Sequence, residues 1–134
     1  MKKIILALSF SLLSGCTLVN SYFMAKYDTN EYATITNIRS QSEVAQETCA
    51  DKKKTEEYIN SIYHSSVFFK NFTQLRVRNE ETAAIAYNLY LLSDQLKKHY
   101  EKNETVSASY CKLKLQQIEK GAITAQKAIG SKPR

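Results

Sequence analysis

The sequence predicts an all-α protein, an antiparallel helical bundle or a long helical hairpin pinned by one disulfide, and three observations predict it. Beyond residue 27 the chain holds almost no helix breakers, only Gly121, Gly130 and Pro133. A strand-rich domain of this size would show Gly, Pro and Asn-Gly turn signals throughout. Apolar residues also recur at alternating steps of three and four, the period of one helix face. Finally, Cys49 and Cys111 fall on apolar stripes that either architecture brings face to face. In an up-down-up-down bundle they share one end, and in a hairpin turning near residue 79 they lie 30 residues before the turn and 32 after it.

The first helix is predicted over about residues 29–50, with Tyr32, Ile35, Ile38, Ser42, Ala45 and Cys49 on its apolar face and Asp28 with Glu31 as a capping pair. A second follows over about 52–74, carrying Thr55, Ile59, Ile62, Ser66, Phe69 and Phe72. The intervening run from Asp51 to Glu57 is polar but holds no breaker, so one continuous helix is an open alternative. Arg76-Val77-Arg78-Asn79 is the clearest connection, because Asn79 can cap and Glu80 and Glu81 favour a new first turn. The third helix, about 80–101, has the stripe Ile85, Leu89, Leu92 and Leu96, with Ala84, Tyr87 and Leu91 alongside. Lys97, Lys98 and His99 sit where cations suit a helix C-terminus. Asn103-Glu104-Thr105 reads as a turn or a continuation. The last helix carries Ala108, Cys111, Leu115, Ile118, Ala122, Ala125 and Ile129, and Gly130 and Pro133 stop it.

The N-terminus has its own logic. Met1-Lys2-Lys3 is a cationic head, Ile4 to Leu13 is apolar, and Leu13-Ser14-Gly15-Cys16 ends in small residues before a cysteine. This is the secretory pattern, and Leu13-Ser14-Gly15-Cys16 resembles the lipobox of bacterial lipoprotein precursors. The resemblance implies cleavage after residue 15 and diacylation of Cys16. It also implies a membrane anchor and, because Thr17 rather than Asp follows the cysteine, sorting to the periplasmic side of the outer membrane, with the inner membrane as alternative. The competing reading is an uncleaved anchor, since Ile4 to Met24 is 21 residues without a charge and about 20 apolar residues span a bilayer. The expected division is therefore signal peptide 1–15, lipidated tether 16–27, helical domain 28–130 and tail 131–134.

Removing the signal leaves 17 basic and 13 acidic residues, a net charge of +4. That is compatible with anionic lipid or an acidic partner and falls short of a nucleic-acid footprint. With Cys16 used by the anchor, Cys49 and Cys111 remain, and an even pair in an oxidising compartment reads as one disulfide. Two buried free cysteines are the alternative. No catalytic set, metal site or cofactor is expected. His64 and His99 lack a second ligand at helical spacing. Glu56/Glu57 and Glu80/Glu81 are helix neighbours that point apart. Lys52-Lys53-Lys54 reads as a solvated face.

Aromatic content is the one feature with functional suggestion. Tyr58, Tyr63, Phe68, Phe69 and Phe72 make the second helix more aromatic than a narrow seam requires; the first reading is that these rings fill the core, and the alternative is that some of them form a partner-binding face. The function expected is a non-enzymatic binding module on the envelope with a protein partner. Two alternatives stand beside it. One is an exclusion lipoprotein from a phage or mobile element that blocks a receptor or uptake machinery. The other is a cell-wall enzyme or an inhibitor of one. Tyr110 to Leu115 and Ile129 to Arg134 resemble small uncharacterised phage-type proteins, a similarity that carries no function across.

Overall fold

The computed structural model describes residues 24–134; the signal segment and Cys16 lie outside the described residues. Four helices make up the bundle: α1 (Thr29–Ala45), α2 (Lys52–Gln74), α3 (Glu80–Lys102) and α4 (Ala108–Gly130), with a 3-10 turn at Gln46–Thr48. Each packs against its two neighbours in a closed square, α1 against α2 and α4, and α3 against α2 and α4. Among the described residues there is no strand. Of the two architectures open in the sequence, the four-helix bundle is the one present, and the Cys49–Cys111 disulfide pins it, with Cα atoms 5.8 Å apart.

What separates α1 from α2 is local polar chemistry rather than a breaker. Asp51 takes an extended conformation and its carboxylate accepts from Lys54 N–H, while Thr48 Oγ1 donates to Ala45 O. These bonds satisfy groups that a continuous helix would leave to its own ladder. The α helix therefore ends at Ala45, five residues short of the expected boundary. Ser107 does the same for α4, its hydroxyl accepting from Tyr110 N–H.

Core positions in every helix step by four and three without a slip: Glu31 to Ala45 in α1, Thr55 to Thr73 in α2, Thr82 to Tyr100 in α3, Cys111 to Ile129 in α4. That 3.5-residue repeat is the seam of a left-handed supercoil. Cys49 extends the α1 series, and the register set by the disulfide then sorts the core into six layers of four. At one end Glu31, Thr73, Thr82 and Ile129 form a layer. Inward follow Ile35–Phe69–Ala86–Ala125, Ile38–Ser66–Leu89–Ala122, Ser42–Ile62–Ser93–Ile118 and Ala45–Ile59–Leu96–Leu115. Cys49, Thr55, Tyr100 and Cys111 close the far end. Small residues recur in the layers, and at the α3–α4 seam a Cβ on Gly121 would lie 2.8 Å from Leu89 Cδ2. The helices approach that closely because Gly121 has none.

Four expectations are corrected. In α2 it is Thr73 that is fully buried in the last core position, and Phe72 lies half-buried beside it. In α3 the stripe is Thr82, Ala86, Leu89, Ser93, Leu96 and Tyr100; Ile85 and Leu92 pack at its margin and Tyr87 is exposed. Small Ala86 and Ser93 occupy the centre because large Phe69 and Ile62 fill the same layers from α2. Ala108 is exposed, outside the first buried turn of α4. Lastly, packing extends beyond residues 28–130: Ala25 and Lys132 are both buried, and Tyr27 N–H donates to Pro133 O.

Candidate functional site

The start of α1, the α2–α3 connection and the end of α4 meet at one end of the bundle, and a buried polar cluster joins them. Glu31, expected as half of a cap, instead turns inward: Asp28 alone caps α1, accepting from Asn30 and Glu31 N–H. The Glu31 carboxylate accepts from Asn79 Nδ2 at 2.6 Å and from Lys132 Nζ at 2.7 Å. Lys132 also donates to Asn79 Oδ1, and Asn79 Nδ2 donates to Thr73 O at the end of α2. Asn79 therefore makes no side-chain cap bond on α3. Its amide is committed to the cluster. Arg76 Nη1 lies 2.6 Å from Glu31 Oε2, a contact of charge rather than an aligned hydrogen bond, and Nη2 donates to Lys26 O.

Glu31 is wholly buried and Lys132 nearly so. Two cations face one carboxylate there, with Asp28 at 3.9 Å from Arg76 supplying a second. Every donor and acceptor of Asn79 and Lys132 that the geometry defines is directed at the chain itself. The cluster is a lock on the bundle end, with no nucleophile or vacant ligand position in it.

The predicted aromatics separate rather than converge. Phe69 is fully buried in the core, so it leaves the candidate surface. Tyr58 packs at the margin of the core beside Gln41 of α1. Phe72 lies two helical repeats further along that flank, and Phe68, 54% exposed, stacks on it with centroids 5.8 Å apart. Tyr63 faces the other way, towards α3, where Tyr90 and then Tyr87 each follow at 6.2 Å between centroids. Lys70 Nζ sits 4.3 Å over the Tyr90 ring and Lys97 Nζ 5.4 Å over that of Tyr63, both within cation–π reach. His64 meets Tyr63 edge-on at 5.5 Å. Glu101 holds Lys97, and Asp94 holds Lys98, above the ordinary lysine pKa by hydrogen bonding, so both are cations at neutral pH. This α2–α3 face is a tyrosine row bordered by Lys70 and by the Lys97–Glu101 and Lys98–Asp94 ion pairs.

Sequence reasoning placed Tyr63 but missed Tyr90 as its partner. Tyr87 and Tyr90 are three apart, and antiparallel pairing of α2 with α3 about residue 77 sets Tyr90 near Tyr63; the register was the missing signal. Glu31 and Lys132 were missed because both continue a three-four series that hydrophobicity stops counting at the first charge.

At the opposite end, Thr48 and Thr55 share a buried hydrogen bond near the disulfide, and the His99 and Tyr110 rings meet at a tilt with centroids 4.2 Å apart. Among the described residues no group of three His, Cys, Asp or Glu could hold a metal ion. Depressions among the described residues include one of about 120 Å³ beside Asn79 and Lys132 and one of about 260 Å³ beside Tyr32 and Arg39. No described helix is long and apolar enough to cross a membrane. No family model, curated protein or solved structure matches the chain.

Proposed function

We propose that the chain is an exported lipoprotein, diacylated at Cys16 and held at the periplasmic side of the outer membrane, where its bundle acts as a non-enzymatic interaction module. The observation that carries the reading is the Cys49–Cys111 disulfide inside the folded bundle. Such bonds persist in oxidising compartments and are rare in the cytosol. The lipobox Leu13-Ser14-Gly15-Cys16 supplies the route to that compartment and leaves these two cysteines to each other.

The α2–α3 face is the contact surface in this reading. Tyr63, Tyr87 and Tyr90 offer rigid rings with polar tips, and Lys70 over Tyr90 draws an acidic partner; aromatic anchors of this kind dominate interface energetics. Mass spectrometry of the N-terminal peptide tests the anchor: two or three acyl chains on Cys16 are expected, and an unmodified cysteine in a cytosolic fraction overturns the reading. A photocrosslinker in place of Tyr87 tests the surface in living cells. One discrete adduct, lost with Tyr63→Ala, is the expected result. An adduct pattern no different from that of a crosslinker at Gln117 overturns the assignment of this face.

A further inference from the structure

The α2–α3 connection presents its side chains in an order that contact with water alone does not favour. Leu75 is 87% exposed and Val77 81% exposed, while Arg76 between them folds back to Glu31, Asp28 and Lys26 O. A loop meeting only solvent would do the reverse, since removing such apolar side chains from water is favourable. The arrangement is also fixed. Asn79 is locked into the buried cluster, the Arg78 carbonyl accepts from Ala25 N–H at 2.8 Å, and Arg78 is held in the left-handed region at φ 62°. The two apolar side chains are thus displayed on a stiff mount.

Where they are displayed names what they meet. The Ala25–Arg78 bond brings the N-terminal segment to this same end of the bundle. Nine residue steps connect Ala25 to Cys16, a reach of at most about 32 Å. The bundle itself is about 35 Å long by the rise of a 23-residue helix. A lipid on Cys16 therefore tethers the bundle by its Leu75–Val77 end, within about 32 Å of the bilayer, while the disulfide end carries no tether of its own among the described residues. We propose that this connection is a membrane-resting tip: Leu75 and Val77 enter the headgroup–acyl boundary and stand the bundle on the membrane. The proposal rests on the anchored-lipoprotein reading. Nearby charges are close to balanced, Lys26, Arg78 and Arg134 against Glu80 and Glu81, so the contact is apolar rather than an attraction to anionic lipid.

The test uses the mature lipidated protein in vesicles. With Cys16 acylated and Cys49 bonded to Cys111, Val77→Cys or Leu113→Cys supplies a single free thiol for an environment-sensitive fluorophore. Leu113 is exposed towards the disulfide end. Nitroxide-labelled lipid should quench the label at 77 several-fold more than that at 113, with iodide showing the opposite order, at low and high salt alike. Equal lipid quenching at both positions, or loss of the difference in high salt, overturns the proposal. Protection of position 77 from both quenchers, as a second copy or a protein partner would give, overturns it as well. The mass of Cys16 in the same sample separates the failures: a diacylated Cys16 with a wet position 77 defeats the tip alone, and a bare Cys16 defeats the anchor and the tip together.

Discussion

Two hydroxyls in the core show how single residues set the stability of this bundle. Ser42 and Ser93 return their hydroxyls to their own helices, at Ile38 O and Tyr90 O, but Ser66 Oγ is buried with no partner. An unsatisfied buried hydroxyl costs about 1–3 kcal/mol, so Ser66→Ala should raise the thermal midpoint by several degrees, measured by circular dichroism at 222 nm. A fall would mean that the oxygen has a partner. Tyr100 is the second case. Its hydroxyl is buried with no well-aligned hydrogen bond, the Thr55 hydroxyl beside it being directed at Thr48 O and Asp51 O. Burial holds its pKa above the ordinary value, and Thr55 offsets this only in part. From about pH 10, the usual tyrosine value, the unfolded chain releases this proton while the folded chain retains it, so stability falls as pH rises. Lys97 and Lys98 act in the same direction, because their raised pKa values in the fold mean that their ion pairs outlast the free amines and are then lost. Tyr100→Phe should therefore leave or raise stability at pH 7 and move the alkaline unfolding midpoint upward. An unchanged midpoint in a pH 9–12 titration counts against a buried, unpartnered phenol.

At the scale of the helices, the sequence carried existence, order and most of the core, because those follow from a repeat that each helix encodes alone. Every expected core position of the last helix from Cys111 to Ile129 is buried. The α3 stripe was displaced because its register depends on α2: Ala86 and Ser93 look peripheral until Phe69 and Ile62 are known to face them. The same dependence hid the tyrosine row, which two helices build jointly. It also hid the lock of Glu31, Asn79 and Lys132, whose members come from three separated segments and resemble a cap, a cap and a tail when read singly. Their joint role makes a specific expectation. Glu31→Gln would leave buried Lys132 without its counter-charge and half-buried Arg76 with Asp28 alone, a loss of roughly 3–5 kcal/mol. Urea unfolding should show it as a lower midpoint with an unchanged slope. A loss under about 1 kcal/mol, the range of exposed pairs, would place the cluster in water rather than in the fold.

For the molecule as a whole, covalent and ionic constraints hold opposite ends of one supercoil. The disulfide joins α4 to the residue just beyond the 3-10 turn and closes a loop of 62 residues, worth roughly 4 kcal/mol through the unfolded chain. The lock at the other end stands about 27 Å away along α1, from the rise between Glu31 and Cys49. Between them lie four layers that are apolar apart from Ser42, Ser66 and Ser93 and that share no charge with either end, so the two devices should act independently. Replacing both Cys49 and Cys111 by Ser, then adding Glu31→Gln, should give losses that sum to within about 0.5 kcal/mol. The cycle is best run in sucrose, which strengthens apolar burial and keeps the combined variant folded. A coupling well beyond that bound would show that opening one end loosens the other. The bundle would then unzip from its termini instead of melting as a single unit, and the tip at Leu75 and Val77 would sense the redox state of the distant cysteines.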